Sequence, residues 1–204
     1  MINTTQNESE LRLPAHLKEV YLKNLERWRK IESLPQPPKD SARFGQIWST
    51  EFRYKFHDGR EKEVDETRFV LVLSDTKGSL LETMRDVRVV PLSYESEEAS
   101  ELDLILSQEV NPLGFEGMLE FWNTAQVFTC NLGRFLGEIS DEQTLDQIEK
   151  LWKESLGLER SVPGAKTGTL ITSSTDSRLD FQSEERRKTE YLREPVEYAL
   201  ATLG

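Results

Sequence analysis

Arg68-Phe69-Val70-Leu71-Val72-Leu73-Ser74 decides the fold. Apolar residues run unbroken from Phe69 to Leu73, and Phe69, Val70 and Val72 are aromatic or β-branched. Asp75, Lys77 and Gly78 close the run. A helix would space its apolar residues at three and four positions, so this pattern reads as a strand buried on both faces. Working outward, Val87-Arg88-Val89-Val90-Pro91-Leu92-Ser93 repeats the pattern, and Gly45-Gln46-Ile47-Trp48 precedes it. Strands this close together need a small, closed, mostly antiparallel sheet to bury them. The expected class is mainly β with flanking helices.

Apolar residues make up 36% of the 204-residue chain and charged ones 31%, which describes a globular protein with a modest core. No apolar run approaches the ~20 residues that cross a bilayer. The first ten residues carry no basic, apolar signal pattern, and Cys130 is the single cysteine. Both point to the cytoplasm. The net charge of −11 is concentrated in 45–139, which holds 18 acidic and 9 basic side chains. Such a segment grips a polyanion poorly unless its few cations converge, and a basic partner suits it better.

The chain divides into a frayed terminus over 1–13, an amphipathic helix with a proline-rich linker over 14–43, a β domain with a closing helix over 44–157, and a tail over 158–204. In the first helix Leu17, Tyr21, Trp28 and Ile31 recur at helical spacing between charged residues. That stripe packs on the protein's own sheet by default. Its alternative role is to dock a partner through Leu17, Tyr21 and Trp28. Pro35-Gln36-Pro37-Pro38 ends the helix. Within the β domain, 44–56 alternates as a strand, Asp58-Gly59 predicts a tight hairpin, and 61–66 forms an acidic return arm. Further strand-like pieces are 102–106, 118–122 and 126–129, with a turn at Asn111-Pro112-Leu113-Gly114.

Ser140-Asp141-Glu142-Gln143 reads as a capping box in which Ser140 caps the next helix. Leu145, Ile148, Leu151 and Trp152 form that helix's apolar face, and Gly157 stops it. The Ser/Thr/Gly-rich 159–177 reads as a mobile or loosely docked linker, and Val196, Ala199, Leu200 and Leu203 as a short terminal helix. His16 and His57 are the two histidines and stand apart from Cys130, so no metal-ligand spacing arises. Cys130 reads as a small buried apolar residue. No Gly-rich phosphate or cofactor loop is present, and neither metal nor cofactor is expected.

Taken in order, these motifs resemble the PemK/MazF-like family, the endoribonuclease toxins of bacterial toxin–antitoxin pairs. Gly45-Gln46-Ile47-Trp48 is similar to the family's opening strand, and Arg68 with Val70-Leu71-Val72-Leu73-Ser74 to its Arg-Pro-aliphatic-Ser strand. Val89-Val90-Pro91-Leu92-Ser93 resembles the next strand. Gln126-Val127 and Leu132-Gly133-Arg134-Phe135-Leu136-Gly137-Glu138-Ile139-Ser140 resemble the closing stretch. Gln46 stands where the family has an acid, and Phe69 where it has a proline.

The resemblance implies an SH3-like barrel that often dimerises. It also implies that Arg68 and Ser93 act on a scissile phosphate, the guanidinium and hydroxyl stabilising charge as a 2′-hydroxyl attacks. The carboxylates Glu61, Glu63, Asp65 and Glu66 precede Arg68, and pairing with them gives it a structural role instead. Two readings follow. One is a non-catalytic interaction or regulatory module of a bacterial stress-response or defence system, with a basic or amphipathic protein segment as partner. The other is a metal-independent toxin-type endoribonuclease cleaving single-stranded RNA, with Arg68 and Ser93 as its working pair.

Overall fold

The computed structural model describes residues 15–50, 53–55, 61–63, 68–75, 77–78, 85–158 and 167–193, with backbone alone for 15–21, 53–55, 61–63, 77–78 and 191. Helix α1 (Ala15–Glu32) leads into strands β1 (Gln46–Thr50), β2 (Arg53–Lys55), β3 (Glu61–Glu63), β4 (Phe69–Val72), β5 (Lys77–Gly78) and β6 (Arg85–Ser93). Strands β7 (Asp103–Leu106), β8 (Gly117–Glu120), β9 (Ala125–Phe128) and β10 (Leu132–Glu138) follow, then α2 (Glu142–Ser155) and α3 (Arg178–Glu190).

The main sheet is antiparallel and runs β10-β1-β4-β6-β8-β7, with β5 and β9 also paired to β6. Strand β6 changes partner along its length: Asp86 to Val89 pair with β9, and Leu92 and Ser93 with β8. Pro91 falls between those two pairings, where a residue that cannot donate is tolerated. Strands β2 and β3 form a separate two-stranded ladder, Arg53 opposite Glu63. The turn expected at 57–60 between them lies outside the described residues.

The strand buried on both faces is there. Val70, Leu71 and Val72 are wholly inaccessible, and their side chains alternate between two cores. Leu71 packs with Ile47, Leu119, Phe121 and Ile148, whereas Val70 and Val72 pack with Trp48, Val89, Val127 and Leu132. Helices α1 and α2 add Ile31, Ile148 and Leu151 to the first core.

The expected closure into a barrel is not made by hydrogen bonds: β10 and β7 end the path without pairing to each other among the described residues. The edge of β7 is engaged instead by bridges from Thr167 to Leu104 and from Thr169 to Ser100. Residues 167–177, within the stretch expected to be mobile or loosely docked, thus touch that edge, while 159–166 and the terminal helix expected after Pro195 lie outside the described residues.

Two local expectations shift. The α2 cap is Asp141, not Ser140: its carboxylate accepts the Thr144 amide at 2.8 Å and the Thr144 hydroxyl at 2.7 Å. Asp accepts as well as Ser, and Thr144 donates both its amide and its hydroxyl to the same carboxylate oxygen. The C-terminus behaves as its glycine demands: Gly157 takes φ +69°, and Leu158 N–H reaches the Lys153 carbonyl at 2.9 Å. Cys130 is half-buried at the rim of the second core, its thiol donating to Asn131 Oδ1 at 3.3 Å.

Candidate functional site

Arg68 lies one step before Phe69, which pairs with Leu92, so the ladder brings Arg68 opposite Ser93. Ser93 Oγ accepts the Glu95 amide at 3.1 Å, a turn hydrogen bond. The Arg68 side chain is 10% exposed, and α3 lies over it. Arg68 Nη2 donates to Glu185 Oε2, and Nη1 reaches the Glu185 carbonyl at 3.4 Å. Glu120, at the end of β8 and wholly inaccessible, puts Oε2 3.9 Å from the same guanidinium.

Among the described residues, the carboxylates that hold Arg68 come from β8 and α3, far along the chain. Of the local acids expected as partners, Asp65 and Glu66 lie outside the described residues, and Glu61 and Glu63 are described by backbone alone. The cavity left between Arg68, Ser93, Tyr94, Glu185 and Lys188 has a volume of about 40 Å³. That is room for a few ordered waters. Lys188, at its rim, is already bound to Glu185 at 2.9 Å and Glu184 at 3.5 Å.

A polar network extends beneath α3. Asn123 Nδ2 donates to Glu120 Oε2 at 2.8 Å and approaches Thr189 Oγ1 at 2.9 Å. The Arg186 guanidinium stacks 5.3 Å above the Trp122 ring. Across the β7–β8 ladder, Asp103 faces Glu120. Asp103 Oδ2 accepts both the amide (2.7 Å) and the hydroxyl (2.6 Å) of Ser100.

Burial pushes the Glu120 pKa up to about 8; Arg68 and Asn123 pull against it, and Glu185 and Asp103 reinforce it. Burial likewise raises Asp103 to about 6 against the bonds from Ser100. The Trp122 indole also steadies the Asp103 carboxylate, although Trp122 Nε1, Asp103 Oδ1 and Glu120 Oε1 make no hydrogen bond of good geometry among the described residues. At neutral pH Glu120 is thus mainly protonated, and the ion pair proper is Arg68 with Glu185.

This sets a pH dependence. The folded chain keeps on Glu120 a proton that the unfolded chain sheds near 4.5, so stability falls as pH rises from about 4.5 to 8. Asp103 acts in the same sense between 3.8 and about 6. Hydrogen bonds from Thr144 and Arg178 lower the pKa values of Asp141 and Asp176, whose contributions are lost only on the acid side. Glu120→Gln is expected to flatten the decline above about pH 6, read as Tm across about pH 5 to 9. A wild-type Tm that holds steady or rises between about pH 6 and 8 counts against a buried, neutral Glu120.

The partner-docking candidates divide. Trp28 is 40% exposed and its ring lies 6.5 Å from Phe69, which in turn lies 6.3 Å from Phe115. Phe69, in the place of the family's proline, thus seats α1 on the sheet. Leu17 and Tyr21 lie on α1, their side chains outside the described set. Gln46, in the place of the family's acid, is buried and accepts from the Trp48 indole at 3.3 Å and the Arg43 amide at 3.2 Å. A larger cleft of about 430 Å³ lies over β6 and β9 beside Asp86, Arg88 and Gln126. Among the described residues no three His, Cys, Asp or Glu side chains converge as metal ligands do, and no helix is long and apolar enough to cross a membrane.

No protein-family model and no curated protein sequence matches the chain. Among solved structures it is similar to an endoribonuclease in complex with its cognate antitoxin from mycobacterial species, with 16% identity, 59% of this chain and 98% of that chain covered, and a TM-score of 0.42. It is also similar to an endoribonuclease from mycobacterial species, with 16% identity, 59% and 96% covered, and a TM-score of 0.43. A third is the Mycobacterium tuberculosis toxin MazF-mt6, with 17% identity, 56% and 99% covered, and a TM-score of 0.39. Its fold is similar to that of MazF-type toxins.

Sequence reading named Arg68 and Ser93, which line one cleft, and missed Glu120 and Glu185. Glu120 carried a signal: an acid inside Gly117-Met118-Leu119-Glu120-Phe121 needs a partner if the strand is buried. Glu185 carried none, one charge among many in Glu184-Glu185-Arg186-Arg187-Lys188.

Proposed function

We propose that the chain is a non-catalytic protein-interaction module on a PemK/MazF-like sheet, acting in the bacterial cytoplasm within a stress-response or defence system. The observation that carries this reading is the enclosure of Arg68. Its guanidinium is satisfied by Glu185 above Glu120, and α3 leaves its side chain only 10% exposed. A phosphoryl-transfer site needs its cation aimed at the substrate, not neutralised from within. The net −9 of 45–139 favours a basic or amphipathic protein segment as partner, with the exposed Trp28 as a contact. A homodimer is compatible with this reading.

The register of Arg68 opposite Ser93 favours a second reading, a toxin-type endoribonuclease that cleaves single-stranded RNA when its cleft is open. Incubating the full chain with single-stranded RNA, alongside Ser93→Ala, separates the two. We expect no cleavage by either, and equal growth of cells expressing wild type or variant. RNA cleavage by the wild type that Ser93→Ala abolishes overturns the proposal. Ser93 is the right position to vary because its hydroxyl meets only a turn amide, whereas Arg68 holds structure together.

A further inference from the structure

Helix α3 is attached in an unusual way. Of its described residues, the buried ones are Glu185 and Thr189, both polar, while Leu179 is 36% exposed. Helix α2, by contrast, buries Ile148 and Leu151 in the core. What holds α3 is a set of polar contacts: Arg68 to Glu185, Asn123 to Thr189, Arg186 over Trp122, and Arg178 Nη1 to the Ala99 carbonyl at 3.1 Å. Firm anchors lie just outside this middle stretch. Arg178 clasps Asp176 and the Thr169 carbonyl, and beyond the helix Leu192 is buried in the second core with its carbonyl bound by Asn131 at 2.7 Å.

A helix of 13 residues with no apolar face is marginal in water by itself. It persists because it is docked, so undocking and melting are one event. Water can solvate the groups that undocking frees on the middle of α3, which are charged or hydroxylic, and the half-buried Phe181 in its first turn is the apolar exception. The opening therefore forfeits little apolar burial and stays local, hinged between Arg178 and Leu192.

We propose that α3 is a releasable cover: the Glu185 carboxylate fastens it over the Arg68–Ser93 cleft, and local melting of α3 uncovers that cleft while the sheet stays folded. This goes beyond the proposed function and holds under either reading of it.

Hydrogen exchange resolved by segment tests it, together with phenylglyoxal modification of Arg68 read by mass spectrometry. In the wild type, amides of α3 are expected to exchange at least ~10-fold faster than those of β4 and β6. Glu185→Ala is expected to speed α3 a further ~10-fold, leave β4 and β6 unchanged, and raise the adduct at Arg68. Thr189→Val, which removes the Asn123 contact and leaves the ion pair, is expected to shift the same segment by less. Wild-type α3 exchanging no faster than β4 overturns the proposal, because α3 then opens only when the whole chain unfolds. So does Glu185→Ala with α3 exchange unchanged, or with β4 and β6 accelerated by the same factor. Should Glu185→Ala not fold, the wild-type profile and Thr189→Val decide by the same criteria.

Discussion

Trp48→Ala is expected to remove about 3–5 kcal/mol of stability, the range for deleting a large buried aromatic side chain. Trp48 is 1% exposed in the middle of the second core, among Val70, Val72, Val89 and Leu132, with the Phe135 ring edge-on at 5.5 Å. It sits where the β1–β10 register shifts on both sides, so the strands cannot slide inward to fill the hole without breaking Gly137 and Leu132 pairings. Its indole also donates to Gln46 Oε1. Trp48→Phe keeps most of the volume, and Gln46 Oε1 keeps the Arg43 amide, so that variant is expected to cost far less. Urea unfolding followed by circular dichroism measures both. A loss under about 1 kcal/mol for Trp48→Ala means the two-core account of β4 is wrong. Since whole domains are stable by only about 5–15 kcal/mol, the expected loss is a large fraction of the total.

Arg68→Ala is expected to cost up to about 3–5 kcal/mol, the penalty for leaving a buried charge without its counterion. Glu185 can escape that penalty if α3 lifts off and carries it to water, which sets the lower end and adds a visible loss of helical signal. Glu120 cannot leave, being fixed in β8, and stays neutral instead. The double variant Arg68→Met with Glu185→Met replaces both charges by apolar side chains of similar length and is expected to recover most of the loss. The wild type, Arg68→Met, Glu185→Met and the double variant, each unfolded in urea, give the coupling. Single losses that add within about 0.5 kcal/mol show that the two side chains do not act as a unit. An Arg68→Ala variant that lacks activity is for the same reason ambiguous, since it is also a stability variant.

Much of the architecture was legible because apolar pattern and secondary structure obey the same periodicity. Phe69 to Leu73 could only be a strand buried twice, and the helices over Ala15–Glu32 and Glu142–Ser155 announced themselves by spacing and by a cap misplaced by one residue. Arg68 and Ser93 were named together through the family resemblance and not from the apolar pattern, and they line one cleft. Closure of the sheet was not legible, because it depends on whether a distant segment takes the free edge of β7, as Thr167 and Thr169 do.

What the sequence by itself determined is most of the strands, β5 and β10 excepted, their mainly antiparallel pairing and the double burial of β4, because short-range pattern and hydrophobic burial are local properties of the chain. What the tertiary structure alone decided is the fate of Arg68. Its partners Glu120 and Glu185 stand 52 and 117 positions away, and polar contacts of that range leave no periodic trace. A guanidinium that looks in sequence like a tool for phosphate is, in the folded chain, the fastening point of α3.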